Sequence, residues 1–165
     1  MVIMNKKNVK LLFMDVDGTL TDGKIYLGNK GEMFKAFSIK DGYGIAHLLK
    51  EATIIPIIIT ARESEIVKKR CTELGIEHCF QNCKNKKEKM MVICDSYGII
   101  SDKNGVLPHT AYIGDDLMDF QCMEIAEYKG CPKDAANEIK KIANFVSSHE
   151  GGAGAVREFI EWLVY

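Results

Sequence analysis

An apolar run, Leu11 to Met14 (LLFM), leads directly into Asp15 and Asp17, and a third aspartate, Asp22, closes the eight-residue window that begins at Asp15. Consecutive large apolar residues without polar alternation describe a strand covered on both faces. The carboxylates that follow repel one another unless a cation or a shared proton relieves them. The pattern asks for a chain that buries one strand completely and presents acidic side chains, with a counter-ion, where that strand ends.

Other apolar runs fit the same sheet. Residues 9–14, 54–59 (IIPIII), 110–114 (TAYIG) and 144–148 (NFVSS) read as strands, with Pro56 an odd choice for a central one. Helical patterns cover 43–51, 63–74, 86–97, 117–127, 134–142 and 153–164, and the interval between Thr60 and Lys86 has room for a helix and a short strand. Buried strands alternating with helices predict an α/β fold, a parallel sheet with helices on both faces. Ligands in such sheets bind outside the carboxyl ends of the strands. Asp15, Thr60 and Asp115, far apart in sequence, should therefore meet at one edge. The exception is 24–38 (KIYLGNKGEMFKAFS), which reads as two short strands joined around GNKG, a β-hairpin inserted directly after the first strand. Its apolar residues Ile25, Tyr26, Leu27, Met33, Phe34 and Phe37 are expected at the surface, where free strand edges invite association.

With 165 residues, 47% of them hydrophobic, and neither a repeat nor a linker, the chain is expected to form one domain, 1–165. A formal net charge of -1 gives no electrostatic reason to expect nucleic acid or an anionic membrane as partner. The opening residues, MVIMNKKNVK, lack the apolar length of a signal peptide or membrane span. Six cysteines without a C-x-x-C pair fit reduced thiols and a cytoplasmic location.

A second acidic group, Gly114-Asp-Asp-Leu-Met-Asp119, follows the third strand. Asp115 and Asp119 are four apart, on one face of a helix that starts here. Acidic residues also simply favour a helix N-terminus, so Asp116 and Asp119 have a structural reading as well. Two carboxylate groups behind two apolar strands suit Mg²⁺, which takes few protein carboxylates and keeps waters and phosphate oxygens. Thr60 is placed either to donate to an anion or to cap the next helix. Which of Lys84, Lys86, Lys87 and Lys89 would serve an anion is open from the residues alone.

In order, DVDGTLTDG, IIITAR, a lysine and YIGDDLMD resemble the four motifs of the haloacid-dehalogenase-like phosphatases. The resemblance implies a Rossmann-like α/β sheet, Asp15 as nucleophile and Asp17 as general acid/base. It also implies Mg²⁺ held by Asp15, Asp17 (through its backbone) and Asp115, with Thr60 and the lysine on the transferring phosphoryl group. Such chemistry splits one hydrolysis into two easier steps through an aspartyl phosphate, and needs positive charge where one anion attacks another.

Asp15 and Thr60 lie only 45 positions apart, too few for a cap domain of the usual size, roughly 50 residues or more. The hairpin stands in its place. KAFSIKDGYGI (35–45), CFQNCKNK (79–86) and GGAGAVREF (151–159) resemble the capless 3-deoxy-D-manno-octulosonate 8-phosphate phosphatases, and the F-Q-x-x-x-N-K spacing settles the lysine as Lys86. That resemblance implies substrate contacts from Asp17, Ser38, Ile39, Lys40, Asp41, Gly42, Arg62, Arg70 and Lys86, supported by Asp116, Asp119 and Arg157. It further implies a homotetramer joined through the hairpins, with a tail containing Gly151, Gly152 and Arg157 serving a neighbour's site. For Arg70 a solvated helix face is the other reading. Ala46, Asn82 and Ala153 depart from the octulosonate pattern, which keeps a nonulosonate 9-phosphate as alternative substrate; a non-catalytic or phosphate-sensing module of the same fold is the alternative from another class.

Overall fold

The structure, a computed structural model, describes residue 5 and residues 7–165; residues 1–4 and 6, part of the segment expected to be neither signal peptide nor span, lie outside the described residues. Strand β1 (Leu11–Met14) precedes a hairpin of β2 (Tyr26–Gly28) and β3 (Gly31–Phe34). Helix α1 (Ile39–Tyr43) continues through a π-helical turn, Gly44–Leu48, into α2 (Leu49–Glu51). There follow β4 (Ile55–Ile59), α3 (Glu65–Leu74), β5 (His78–Phe80), α4 (Lys86–Ser96), β6 (Leu107–Ile113), α5 (Leu117–Ile125), β7 (Ala126–Cys131), α6 (Asn137–Ile142), β8 (Phe145–Val146) and α7 (Ala155–Val164). Six strands form one parallel sheet in the order β5-β4-β1-β6-β7-β8, and the hairpin is a separate antiparallel pair.

The apolar run forms the interior strand it predicts. Leu12 and Met14 enter one core, with Ile45 and Leu49, Val67 of α3, and Phe159 and Leu163 of α7. Leu11 and Phe13 enter the other, with Met90 of α4, Cys122 and Met123 of α5, and Ile139 of α6. Alternating side chains thus need helices on both faces. The chain steps outward from β1 through β4 to β5, then returns to β1's other side at β6. That reversal opens a crevice at the carboxyl ends of β1 and β6, where ligands of such sheets bind.

Several elements differ from expectation. The helix expected over 43–51 begins earlier, because Ser38 caps it, its side chain accepting from the N–H groups of Lys40 and Asp41. The helix expected over 117–127 stops at Ile125, and Ala126–Cys131 forms β7 instead. Its neighbour β8 is only two residues long, so β7 is nearly an edge strand and carries Glu127, Tyr128 and Lys129 without an apolar run. Pro56 loses no hydrogen bond. Pairing of β4 with β5 starts at Ile57, and Ile55 donates to Lys10 on the β1 side while Thr60 donates to Phe80 on the β5 side. Alternation therefore points the Pro56 nitrogen toward β5 before that strand begins.

Two expectations are corrected. Phe37 is not part of the exposed hairpin surface: it packs against the core around Leu12 and Phe159, under the Arg70 guanidinium. The segment 150–165, expected to serve a neighbour's site, packs on its own chain. Val156, Phe159, Ile160, Leu163 and Val164 are fully buried in their own chain, because the sheet face above Leu12 and Met14 needs the apolar face of α7. Gly152 N–H donates to Thr19 carbonyl at 3.0 Å, and a Cβ on Gly151 would lie 1.9 Å from the Gly18 carbonyl oxygen. The glycines press this segment onto the chain's own loop at Gly18–Thr21. By contrast Ile25, Leu27, Met33 and Phe34 of the hairpin are exposed, Leu27 to 68%, and Tyr26 stacks on Phe34 with ring centroids 4.3 Å apart.

Candidate active site

Met14 pairs in register with Ile58 on one side and Ile113 on the other. The next residues of the three strands therefore leave the sheet together, and Asp15, Thr60 and Asp115 arrive at one edge, as their positions in sequence predict. Asp15 N–H donates to the Ile113 carbonyl at 3.1 Å, a last rung of the sheet. Thr60 is held through its backbone, donating to Phe80 and accepting from Cys83, each at 3.0 Å. Asp15 and Thr60 are buried.

Lys86 is the first residue of α4, after the N-cap Asn85, and is 5% exposed. Its Nζ donates to Asp15 Oδ1 and to Asp119 Oδ1, both at 2.7 Å. Lys84 is exposed and Lys89 lies over the Phe80 ring, so geometry singles out the lysine that the motif spacing selects.

Asp119 is the organiser of the cluster. Oδ1 accepts from Lys86 and from the Tyr112 hydroxyl at 2.8 Å; Oδ2 accepts from the N–H groups of Asp115 at 3.0 Å and Asp116 at 3.4 Å. With Asp116 it forms a capping box at the start of α5. Asp115 accepts from the Thr19 hydroxyl at 3.0 Å. Room for Asp115 requires Gly18: a Cβ there would lie 2.0 Å from Asp115 Oδ2, and its φ of +94° is a glycine conformation.

Carboxylate oxygens of Asp15, Asp115 and Asp119 lie within 4.8 Å of one another. Burial and the neighbouring Asp119 charge push the Asp15 carboxyl well above the ordinary carboxylate range, and the same two causes push Asp115 to about 7. Burial alone would lower Lys86; the Asp15 and Asp119 carboxylates outweigh it and hold the ammonium above its ordinary value. These shifts have one origin, two buried carboxylates and the half-buried Asp115 around a single ammonium, which leaves excess negative charge. A divalent cation with oxygen preference relieves that excess. Asp119 already accepts four donors, so Asp15 and Asp115 are the carboxylates with capacity for it.

The remaining expected residues fall into two neighbourhoods. Asp17 meets Lys35, whose Nζ also lies 3.1 Å from Glu32 Oε1; Glu32 in turn meets the Ser64 hydroxyl and lies 3.5 Å from Arg62 Nη2. The second neighbourhood is α1. Ile39 is 84% exposed and Lys40 is exposed. Gly42 lies beneath Arg70, which donates to the Ser38 carbonyl at 3.4 Å and pairs with Glu73 at 2.8 Å. Asp41 is buried, and burial raises its carboxyl despite the N–H groups of Arg157 and Gly154. Its Oδ1 accepts from Arg157 N–H at 2.7 Å, capping α7, whose own N-cap Gly154 offers no side chain. The Arg157 guanidinium is bound to Glu161 at 2.7 Å and lies over Tyr43.

Sequence reasoning missed Thr19, Tyr112, Gln81, Glu32 and Lys35. Tyr112 had a signal: a hydroxyl inside a fully buried strand needs a partner. Gln81 accepts from Ser64 N–H at 2.7 Å and aligns the start of α3. Glu32 and Lys35 read as ordinary hairpin charges, and only tertiary structure turns them inward.

No protein-family model matches the sequence. The 3-deoxy-D-manno-octulosonate 8-phosphate phosphatase KdsC of Escherichia coli (strain K12) is 40% identical over 164 residues, 99% of this chain and 83% of that protein. The Yersinia pestis KdsC is 36% identical over 163 residues, with the same coverage of 99% and 83%. The crystal structure of the Moraxella catarrhalis phosphatase, in complex with magnesium ion, phosphate ion and KDO, matches with a TM-score of 0.87 at 37% identity, covering 95% of this chain and 86% of that one. The cobalt-bound enzyme of Haemophilus influenzae matches with a TM-score of 0.86 at 32% identity, covering 95% and 88%. An Asp15–Lys86–Asp119 cluster with Asp115 beside it at the sheet reversal, a hairpin where a cap would stand, and identity along nearly the whole chain agree: the chain belongs to the 3-deoxy-D-manno-octulosonate 8-phosphate phosphatase family.

Proposed function

We propose that the chain, acting as one hydrolase domain over 1–165, is a Mg²⁺-dependent phosphatase that hydrolyses 3-deoxy-D-manno-octulosonate 8-phosphate to the free sugar acid and phosphate. The observation that carries this is Lys86, which bridges Asp15 and Asp119 beside Asp115 at the carboxyl end of β1. Asp15 attacks phosphorus. The bond from phosphorus to the sugar oxygen breaks, and Asp17 gives its proton to that oxygen. A water then attacks the aspartyl phosphate, Asp17 takes up the water's proton, and phosphate leaves with Asp15 restored. Lys86 spreads charge from the transferring group, and Thr60 donates to it. Asp15, the Asp17 backbone carbonyl and Asp115 would hold Mg²⁺, which when bound offsets the repulsion between nucleophile and phosphate.

Arg62 and Arg70, with Ser38, Ile39, Lys40, Asp41 and Gly42, make up the side that recognises the sugar acid, guanidinium being well shaped for a carboxylate. Asp116 and Arg157 support it indirectly, through the caps of α5 and α7. In one panel, purified protein with Mg²⁺ would be offered octulosonate 8-phosphate, a nonulosonate 9-phosphate and simple sugar phosphates, with phosphate release measured. Highest kcat/KM on the octulosonate ester is expected; preference for the nonulosonate ester would overturn the substrate, and no release from any ester would overturn the chemistry.

The working form is a homo-oligomer, a tetramer, joined through the exposed hairpin residues Ile25, Leu27, Met33 and Phe34. Exposed apolar side chains on a two-stranded hairpin support this, since such a hairpin is marginal alone. Light scattering on Leu27→Lys should show smaller particles than the wild type; a wild-type monomer with full activity would refute it. All six cysteines are free, which favours a cytoplasmic location.

A further inference from the structure

The hairpin contributes more to its own chain than an exposed surface. Lys35, just past β3, has a side chain only 2% exposed, although the hairpin around it faces solvent. Its Nζ sits between the carboxylates of Asp17 and Glu32. Glu32, on β3, also accepts from the Ser64 hydroxyl and pairs with Arg62. Ser64 caps α3, accepting from Val67 N–H at 3.4 Å. One lattice thus ties the Asp17 side chain, the hairpin and the start of α3 together. Arg62 Nη1 is buried without a hydrogen-bond partner among the described residues, so Glu32 fixes one arm of that guanidinium and leaves the other uncommitted.

We propose that Lys35 and Glu32 are positioning residues of the catalytic centre: Lys35 holds the Asp17 carboxylate toward the leaving oxygen, and Glu32 anchors both Lys35 and Arg62. The proposal rests on the phosphatase reading, in which Asp17 serves the leaving group. Lys35 acts by orientation. Glu32 holds the Lys35 ammonium from the side opposite Asp17, so the position of that ammonium is fixed by two partners. Proton transfer demands hydrogen-bond reach between the acid and its target, and misplacement by an ångström costs far more than the hydrogen bond itself.

The test separates positioning from a structural role by leaving group. The sugar alkoxide must receive a proton as it leaves phosphorus, whereas p-nitrophenyl phosphate releases p-nitrophenolate, which is stable without one. In single turnovers at saturating ester, Lys35→Met should slow leaving-group release from the alkyl ester by about tenfold to a hundredfold while changing it by no more than about twofold for the aryl ester; the later hydrolysis of the aspartyl phosphate, common to both, is slowed equally. Lys35→Arg should recover part of the loss. Glu32→Gln should show the same ester selectivity in weaker form and a raised KM for the sugar ester through Arg62; at saturating ester the double variant should release the leaving group no more slowly than Lys35→Met alone, because Glu32 acts on Asp17 only through Lys35. Thermal midpoints of all variants are compared, with Lys35→Gln replacing Lys35→Met if the latter is unfolded. Equal slowing of leaving-group release from both esters, no slowing from either, or additive losses in the double variant would overturn the assignment. A wild-type protein that hydrolyses neither ester would instead overturn the phosphatase reading itself, and this proposal with it.

Discussion

Asp119→Asn is the substitution that most directly tests the electrostatic account of the centre. It keeps size and shape, so no cavity opens. The carboxylate meets donors on both oxygens, Lys86 and Tyr112 at Oδ1, Asp115 and Asp116 N–H at Oδ2. An amide has one acceptor end, so in either orientation its NH₂ faces a pair of donors. Orphaned buried donors cost about 1–3 kcal/mol, and the Lys86 bond loses its charge-assisted part, worth about 1 kcal/mol more. Removing one of three crowded carboxylates works in the other direction, because the Asp119 charge helps to hold Asp15 and Asp115 above their ordinary values. A net loss of about 2–3 kcal/mol is expected. For a chain of this length that lowers Tm by about 4–12 °C, which calorimetry on metal-free protein would read. With Lys86 held by Asp15 alone, phosphate release should also fall by at least about tenfold. An unchanged Tm together with wild-type turnover would refute the claim that Asp119 organises the centre.

Asp15→Asn should abolish phosphate release yet keep or raise the Tm of metal-free protein, since it removes a carboxylate that burial and Asp119 disfavour; a large fall in Tm would contradict that charge balance. EDTA should remove activity and Mg²⁺ restore it, with Zn²⁺ a poor substitute because the cluster offers oxygen ligands without Cys or His. The stabilisation by Mg²⁺ should itself depend on pH. Asp115 is held at about 7 when folded and lies near 4 when unfolded, so its contribution in metal-free protein is complete below about pH 4 and is lost as pH rises through 7. Mg²⁺ should therefore raise Tm more at pH 8 than at pH 5 in a thermal-shift assay. Glu158 has the opposite sign: hydrogen bonds from Ser147, Ser148 and His149 overcome burial and hold it at about 2, so its contribution is present above about pH 4.5 and lost as pH falls toward 2. Glu158→Gln should flatten that part of the acid-unfolding curve.

What could be read from the sequence follows which forces are local. The strands β1 and β4 announce themselves because burial on both faces, complete in β1 and over Ile57–Ile59 of β4, demands unbroken apolar runs. Asp15, Thr60 and Asp115 could be placed at one edge because parallel strands share a direction, which fixes the end at which each residue emerges. β7 was hidden, since a strand beside a two-residue neighbour tolerates Glu127, Tyr128 and Lys129 and shows no period of its own. The tail misled for a different reason. The helix over 153–164 was legible, but nothing in GGAGAVREF says which copy of the chain it packs on: its glycines mark close approach to the loop at Gly18 and Thr19, and Asp41, more than a hundred positions upstream, supplies the cap that Gly154 cannot. Glu32 and Lys35 mark the same boundary within the site. Charges three apart on a hairpin arm have no local reason to turn inward; Asp17, Ser64 and Arg62 supply it from the ends of other elements. Motif positions lie where a strand end or helix start fixes them. Residues that orient those positions come from wherever the fold happens to pass, and they leave little local trace in the sequence.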